Sequence, residues 1–303
     1  MIADRASDAE IAEAVERLRR AAATGVPCAP VRELIGGWDQ DAAYAVQRAV
    51  LDGRLADGAR RAGHKIGLTS PAVQRQFGVY APDYGVLLDT MVHTDREPLD
   101  LGRFLQPRIE AEVAFVLGKD LDGPSVTAAE VIAATDFLLP ALEIVDSRVA
   151  GWDIRITDTV ADNASSGAVV LGTTPRPLAA VDLPGLGMAL DHRGETVSTG
   201  SGAACLGTPL AAVVWLARET ARRGDPLRAG DLVLSGALGP MVPVTGPGVF
   251  RARLDGWGEV HADFVREGAG TGGGPGAGPA AATSPADRPG ASAAPRTPER
   301  STA

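Results

Sequence analysis

Glu110 and Glu112 stand two residues apart in the run Pro107-Arg108-Ile109-Glu110-Ala111-Glu112-Val113-Ala114-Phe115-Val116-Leu117, which alternates with the period of a β-strand. Ala111, Val113, Phe115 and Leu117 share one face, and the two carboxylates share the other with Ala114 and Val116. At roughly 7 Å and an effective dielectric of about 20, two ionised glutamates repel by about 2 kcal/mol. A half-apolar face makes their charges costlier still unless a cation lies between them. Glu143, flanked by Leu142 and Ile144 in the apolar run from Phe137 to Asp146, is a third acid in such a setting. A solvated edge strand for the pair, and an ion pair of Glu143 with Arg148 or Arg155, are the plain alternatives, and both stay open at this level.

Three carboxylates without a histidine or cysteine partner suit a hard dication, Mg²⁺ or Mn²⁺, better than zinc. Three protein ligands leave about three positions of an octahedral ion for water or a chelating ligand. A 2-oxo acid would fill two of them, and the ion would stabilise an enolate as it develops. Lys65 is a candidate cation beside the acids, and it could move protons if desolvation brings its pKa down. Asp83, in the expected turn Ala81-Pro82-Asp83-Tyr84-Gly85, could orient or activate water. Snorkelling explains most such lysines and local turn bonding most such aspartates.

The elements that must position these groups can be read in outline. Ser7-Asp8-Ala9-Glu10 has the capping-box pattern, followed by Ile11, Val15 and Leu18 at helical spacing until Gly25. A second helix is expected after Asp39, running through Val46 and Val50 towards Gly63. His64 to Ser70 reads as a strand entering a loop, and Ser70-Pro71 as the start of a short helix through Phe77. Val126-Thr127-Ala128-Ala129-Glu130-Val131 is another capping box with a hydrophobic staple. Asp158 to Gly167, dense in small polar residues, reads as a loop that lets backbone approach a ligand; the strand Ala168 to Leu171 follows. Thr208-Pro209 opens a helix to Gly224, Asp231 to Gly236 is a strand, and Gly236 to Met241 is a glycine-rich loop without the lysine of a phosphate-binding loop. Phe250 to Leu254 and Val260 to Phe264 form a closing hairpin. Helices dominate before Arg61 and strands after it, which suggests an α+β fold.

With 303 residues, 45% of them hydrophobic, the chain is long enough for one large core or two smaller ones. A net charge of -9 argues against a nucleic-acid surface. No apolar run approaches the roughly 20 residues needed to span a bilayer, and the N-terminal Asp4, Arg5 and Ser7 do not resemble a signal sequence, so a cytoplasmic protein is expected. Cys28 and Cys205 are isolated, which disfavours a disulfide framework or a cysteine metal site. From residue 267 onward the Gly, Pro, Ala, Ser and Thr composition predicts a disordered tail.

The motifs in order, Lys65-Ile66-Gly67-Leu68-Thr69, Pro82-Asp83-Tyr84-Gly85, Gln106 to Glu112, Leu142 to Arg148, Asp158 to Ser165 and Ser235 to Met241, resemble the 2-keto-4-pentenoate hydratase family of the fumarylacetoacetase-like superfamily. The resemblance runs from near Ile11 to Phe264. It implies a mixed β-roll, like the fumarylacetoacetase C-terminal domain, with an N-terminal helical part: residues 1–62 helical, 63–266 β-rich and catalytic, 267–303 tail. It further implies homo-oligomeric assembly, Glu110, Glu112 and Glu143 as ligands for Mg²⁺ or Mn²⁺, Lys65 and Asp83 at catalytic positions, and Leu68 and Ser165 in the substrate pocket. The implied reaction is hydration of 2-hydroxypenta-2,4-dienoate to 4-hydroxy-2-oxopentanoate in meta-cleavage catabolism of aromatic compounds. The related 4-oxalocrotonate decarboxylases share the carboxylate triad, but Asp83 and Gly239-Pro240-Met241 favour a hydratase. A hydratase of a longer dicarboxylate dienoate, and a complex with the decarboxylase, are the other expectations.

Overall fold

The computed structural model describes residues 5–266. The expected tail, 267–303, lies outside the described residues. Helix α1 (Asp8–Thr24) starts in the expected capping box, with Ser7 and Glu10 bonded reciprocally, and stops at Gly25 in the left-handed conformation. A short α2 (Arg32–Ile35) leads to α3 (Gln40–Ala56), whose first turn is capped by the Asp39 carboxylate. The second helix therefore ends before Gly63, because Asp57 and Gly58 close it and the chain then enters β1 (Arg61–Gly67).

The remaining elements are α4 (Pro71–Phe77), β2 (Asp83–Leu88), β3 (Val92–Thr94), β4 (Pro98–Asp100), β5 (Pro107–Leu117), α5 (Ala128–Ala134), β6 (Thr135–Asp146), α6 (Ile156–Ala161), β7 (Ser166–Leu171), β8 (Gly187–His192), β9 (Glu195–Ser201), α7 (Pro209–Arg222), β10 (Leu232–Leu234), β11 (Val242–Pro243), β12 (Gly248–Leu254) and β13 (Gly258–Val265). The fold is α+β, as expected. One mixed sheet runs β2-β1-β10-β5-β6-β7-β3, with β11 also paired to β5, and a second runs β4-β13-β12-β8-β9. The β12–β13 hairpin falls where expected; β8 and β9, which complete the second sheet, were not expected.

The two faces of β5 go to different places. Ala111, Val113, Phe115 and Leu117 enter the main core, which also contains Leu190, Ala252, Val260 and Phe264 of the second sheet. Ala114 packs on the opposite face with Ala141, Val169, Leu87 and Leu234. The acidic residues share that second face, so the site is built on the side of the sheet turned away from the main core.

Two local expectations are corrected. Asp83 does not sit in a turn: it opens β2, whose residues are all buried, and pairs with Gly67 at the end of β1. The turn-forming residues Pro82 and Asp83 were read as one unit, but the apolar sequence from Tyr84 to Leu88 carries the backbone into the sheet. The stretch 158–165 is likewise no plain loop. It holds the buried helix α6 and a tight turn in which Asn163, Ala164 and Ser165 all have positive φ, 54°, 50° and 55°. Such a run is strained for residues other than glycine. It is held by the Asn163 amide, which accepts from Val86 N at 2.8 Å and donates to Val86 O at 2.9 Å.

Candidate active site

Sheet register alone gathers the predicted groups. Directly opposed residues share a face, and Glu110 is paired with Glu143 across β5 and β6. On the other side of β5, Ala114 is opposite Leu234, and Leu234 is beside Lys65 in the parallel β10–β1 pair. Lys65 in turn faces Gly85, which places Asp83, two residues earlier, on the same surface.

One carboxylate oxygen from each of Glu110, Glu112 and Glu143 lies within 4.8 Å of the others. Glu112 and Glu143 are each 1% exposed and form the floor, while Glu110 is half-buried. The Lys65 ammonium, 3.2 Å from Glu143 Oε1, is the cation closest to the cluster. Neither alternative arginine takes that place, and Arg148 is bound instead to Asp162. Glu112 Oε2 accepts from Gly236 N at 2.8 Å. Gly236 has φ +105°, and a Cβ there would meet Thr69 Oγ1 at 2.4 Å, so the backbone reaches the acid only as glycine.

The charge balance of this cluster is unfavourable by itself. Burial, then repulsion from Glu143, pushes the Glu110 carboxyl up to about 7. Glu112 is raised well above the usual carboxylate range by burial and both neighbouring acids. Burial also raises Glu143, although Lys65 opposes the shift. For Lys65, burial works against the charge, but Glu143, Asp83, Glu110 and Glu112 outweigh it and the pKa is raised. A lysine lowered by desolvation is thus not what the surroundings produce. Three buried acids against one ammonium, with Glu143 Oε2 lacking any hydrogen-bond partner among the described residues, fit a dication held by oxygen ligands.

Asp83, 2% exposed, receives the Thr159 hydroxyl on Oδ2 at 3.2 Å and leaves Oδ1 without a partner among the described residues. Burial raises its pKa against the pull of Lys65. An ideal Cβ on Gly67 would lie 2.2 Å from Asp83 Oδ1 and 3.7 Å from Lys65 Nζ, so the missing side chain is what lets the two groups stand together. Thr159 and Gly236 were not singled out from the sequence, although Thr159 lies inside the stretch whose small residues hinted at close approach and Gly236 opens the glycine-rich loop.

These groups open into a cavity of about 440 Å³. Lys65, Asp83 and Glu110 line it, as do Leu68 and Ser165, and Trp152, Ile154 and Met241 supply much of its apolar wall. The Ser165 hydroxyl is buried without a partner among the described residues, and Leu68 has φ 56°, its carbonyl accepting from Gln74 Nε2 at 2.8 Å. A larger cleft of about 820 Å³ near α1 and α3 contains none of the predicted groups.

Comparison with known proteins agrees with this geometry. Residues 73–265 match the model of the fumarylacetoacetate (FAA) hydrolase C-terminal family. The "TodF product hydratase" of Pseudomonas putida F1 is 54% identical over 263 residues, covering 87% of this chain and 98% of that protein. The 2-keto-4-pentenoate hydratase of Paraburkholderia xenovorans LB400 is 53% identical over 252 residues, covering 83% and 94%. Among solved structures, 4-oxalocrotonate decarboxylase from Pseudomonas putida G7, complexed with magnesium and adipate, superposes with a TM-score of 0.83 at 34% identity, covering 86% of this chain and 100% of that one. The higher identity to the hydratases, over nearly their whole length, places the chain in the fumarylacetoacetate hydrolase C-terminal family as one of its 2-keto-4-pentenoate hydratases, a group of hydro-lyases.

Proposed function

We propose that the chain adds water to 2-hydroxypenta-2,4-dienoate, giving 4-hydroxy-2-oxopentanoate, in meta-cleavage catabolism of aromatic compounds. The observation that carries this reading is the cluster of Glu110, Glu112 and Glu143, whose member Glu110 lines a cavity together with Lys65 and Asp83. The three glutamates would hold Mg²⁺ or Mn²⁺; magnesium accompanies the related decarboxylase. When bound, the ion supplies a Lewis acid that draws electron density towards the substrate 2-oxo oxygen.

The protein's own groups then have separate tasks. The Ser165 hydroxyl, otherwise unpartnered, donates to the substrate carboxylate, and Leu68 covers the carbon chain. Ketonisation moves a proton from the 2-hydroxyl to C5, and Lys65, held as an ammonium by the surrounding acids, assists this transfer. Water then adds across the C3–C4 double bond, its oxygen to C4 and a proton to C3. Asp83 directs that water through its free Oδ1, with Oδ2 fixed by Thr159. Its raised pKa makes it a better base than an ordinary aspartate near neutrality.

Turnover of 2-hydroxypenta-2,4-dienoate and 4-oxalocrotonate side by side, with and without EDTA, tests the reading. Metal-dependent loss of the dienol with formation of the hydroxy-oxo acid supports it, and decarboxylation of 4-oxalocrotonate in its place would assign the chain to the decarboxylases. Among the described residues no helix is long and apolar enough to cross a membrane. A cytoplasmic homo-oligomer, able to associate with a 4-oxalocrotonate decarboxylase, completes the proposal; exposed Trp38 and Tyr80 are compatible with such contacts.

A further inference from the structure

Gln47 lies on the buried face of α3, four residues from Ala43 and four from Leu51, and is itself 4% exposed. A glutamine in such a row costs stability unless its amide is bonded. Its Nε2 donates to Tyr84 O at 3.0 Å and to Val160 O at 2.9 Å. Both partners are carbonyls, so only the nitrogen end of the amide can face them. Tyr84 follows Asp83 in β2, and Val160 follows Thr159 in α6. One side chain thus ties together the two backbones that carry the Asp83–Thr159 hydrogen bond.

The bridge sits where both elements run out of regular partners. β2 is the outermost strand of its sheet, so its free edge presents backbone groups that no neighbouring strand takes up. Side-chain amides close that edge instead, Asn163 at Val86 and Gln47 at Tyr84. Val160 lies in the last turn of the six-residue α6, where carbonyls lack donors from four residues on. The other end of α6 is held by Arg32, paired with Asp158. Among the described residues, none before Lys65 lines the 440 Å³ cavity. Arg32 and Gln47 nevertheless fix both ends of the helix that supplies Thr159.

We propose that Gln47 is a positioning residue for hydration: by holding Tyr84 and Val160 at a fixed separation, it keeps Thr159 on Oδ2 of Asp83 and leaves Oδ1 directed at the reacting water. This rests on the reading of Asp83 as the group that directs water. A role confined to packing α3 against β2 and α6 would lower stability and nothing else. The positioning role lowers the turnover of the folded enzyme, while the glutamate cluster on β5 and β6 keeps its metal affinity.

The test is steady-state hydration of 2-hydroxypenta-2,4-dienoate by full-length Gln47→Met, Asp83→Asn and the double variant, in saturating Mg²⁺ and well below each melting temperature, with calorimetric Mg²⁺ affinity alongside. Gln47→Met keeps the side-chain length and removes both donors. Its kcat is expected to fall about 10- to 100-fold, with KM and Mg²⁺ affinity nearly unchanged. In the Asp83→Asn background the same substitution should cost little further, because residues that act through one another are not additive. Wild-type kcat in folded Gln47→Met, or the same loss in both backgrounds, overturns the proposal. If Gln47→Met does not fold, Gln47→Glu is measured in its place. The introduced carboxyl keeps one donor when protonated and repels both carbonyls when ionised, so kcat relative to the wild type should fall as pH rises; a flat ratio overturns the proposal. Unchanged turnover in Asp83→Asn would sink the reading of Asp83 itself, whereas a loss there with none in Gln47→Met sinks only the positioning role.

Discussion

Glu110 and Glu143 stand directly opposite each other across the antiparallel β5–β6 ladder. Two like charges in that position destabilise a sheet, and here a third carboxylate, Glu112, is added to the same buried face. Lys65 offsets only part of this charge, so the cluster costs stability unless a further cation joins it.

Glu112→Gln should separate those two effects. Without divalent metal the variant removes a carboxyl whose ionised form burial and two neighbouring acids disfavour, and its Tm should rise, by about 2–4 °C for each kcal/mol of repulsion relieved. In Mg²⁺ the order should reverse, with metal affinity down at least about tenfold and activity falling with it. Calorimetric titration and thermal melts with and without EDTA check both signs; retained affinity removes Glu112 from the ligand set.

Asp83→Asn keeps the shape and the Thr159 contact but cannot accept a proton. Hydration should fall by about 100- to 10,000-fold while Mg²⁺ binding is largely spared. Unchanged turnover would end its assignment to water.

Gly67→Ala probes the same residue through packing. Its new Cβ falls 2.2 Å from Asp83 Oδ1, so the carboxylate must move. A displacement on the order of 1 Å can cost about 100-fold in kcat. Steady-state kinetics that match the wild type would show that the position of Asp83 is not critical.

His64, fully buried on β1, has its pKa lowered to about 3 by burial and by Arg61, with Asp225 opposing. The folded chain therefore keeps His64 neutral where the unfolded chain, with an ordinary value of about 6.5, already binds a proton. Its favourable contribution is complete above about pH 6.5 and is lost as the pH falls towards 3, with a slope of up to about 1.4 kcal/mol per pH unit. Denaturant midpoints of the wild type and His64→Gln at pH 7, 6 and 5 isolate this contribution from that of the acidic cluster. A difference that stays constant with pH would refute it.

Much of the site was legible because strand alternation is a local property. The period of two in residues 107–117 put Glu110 and Glu112 on one face before any partner was known, and the apolar flanks of Glu143 marked it as the third acid. Capping boxes at Ser7 and Thr127 were read correctly for the same reason, since each is satisfied within four residues. Asp83 was misplaced because Pro and Asp signal a turn locally, whereas the strand it opens is stabilised by pairing with β1.

What the sequence by itself determined is the chemistry on offer: three acids in apolar settings, a lysine and an aspartate, in an order that resembles one enzyme family. The tertiary structure decided how they meet. Register across β1, β10, β5 and β6 brings residues 65, 112 and 143 to one buried floor, and the side-chain-free positions Gly67 and Gly236 permit the approach. It also decided that Lys65, not an arginine, stands beside Glu143, and that Arg108 stacks on the Trp152 ring. These outcomes depend on pairings between residues far apart in the chain, which no local pattern encodes.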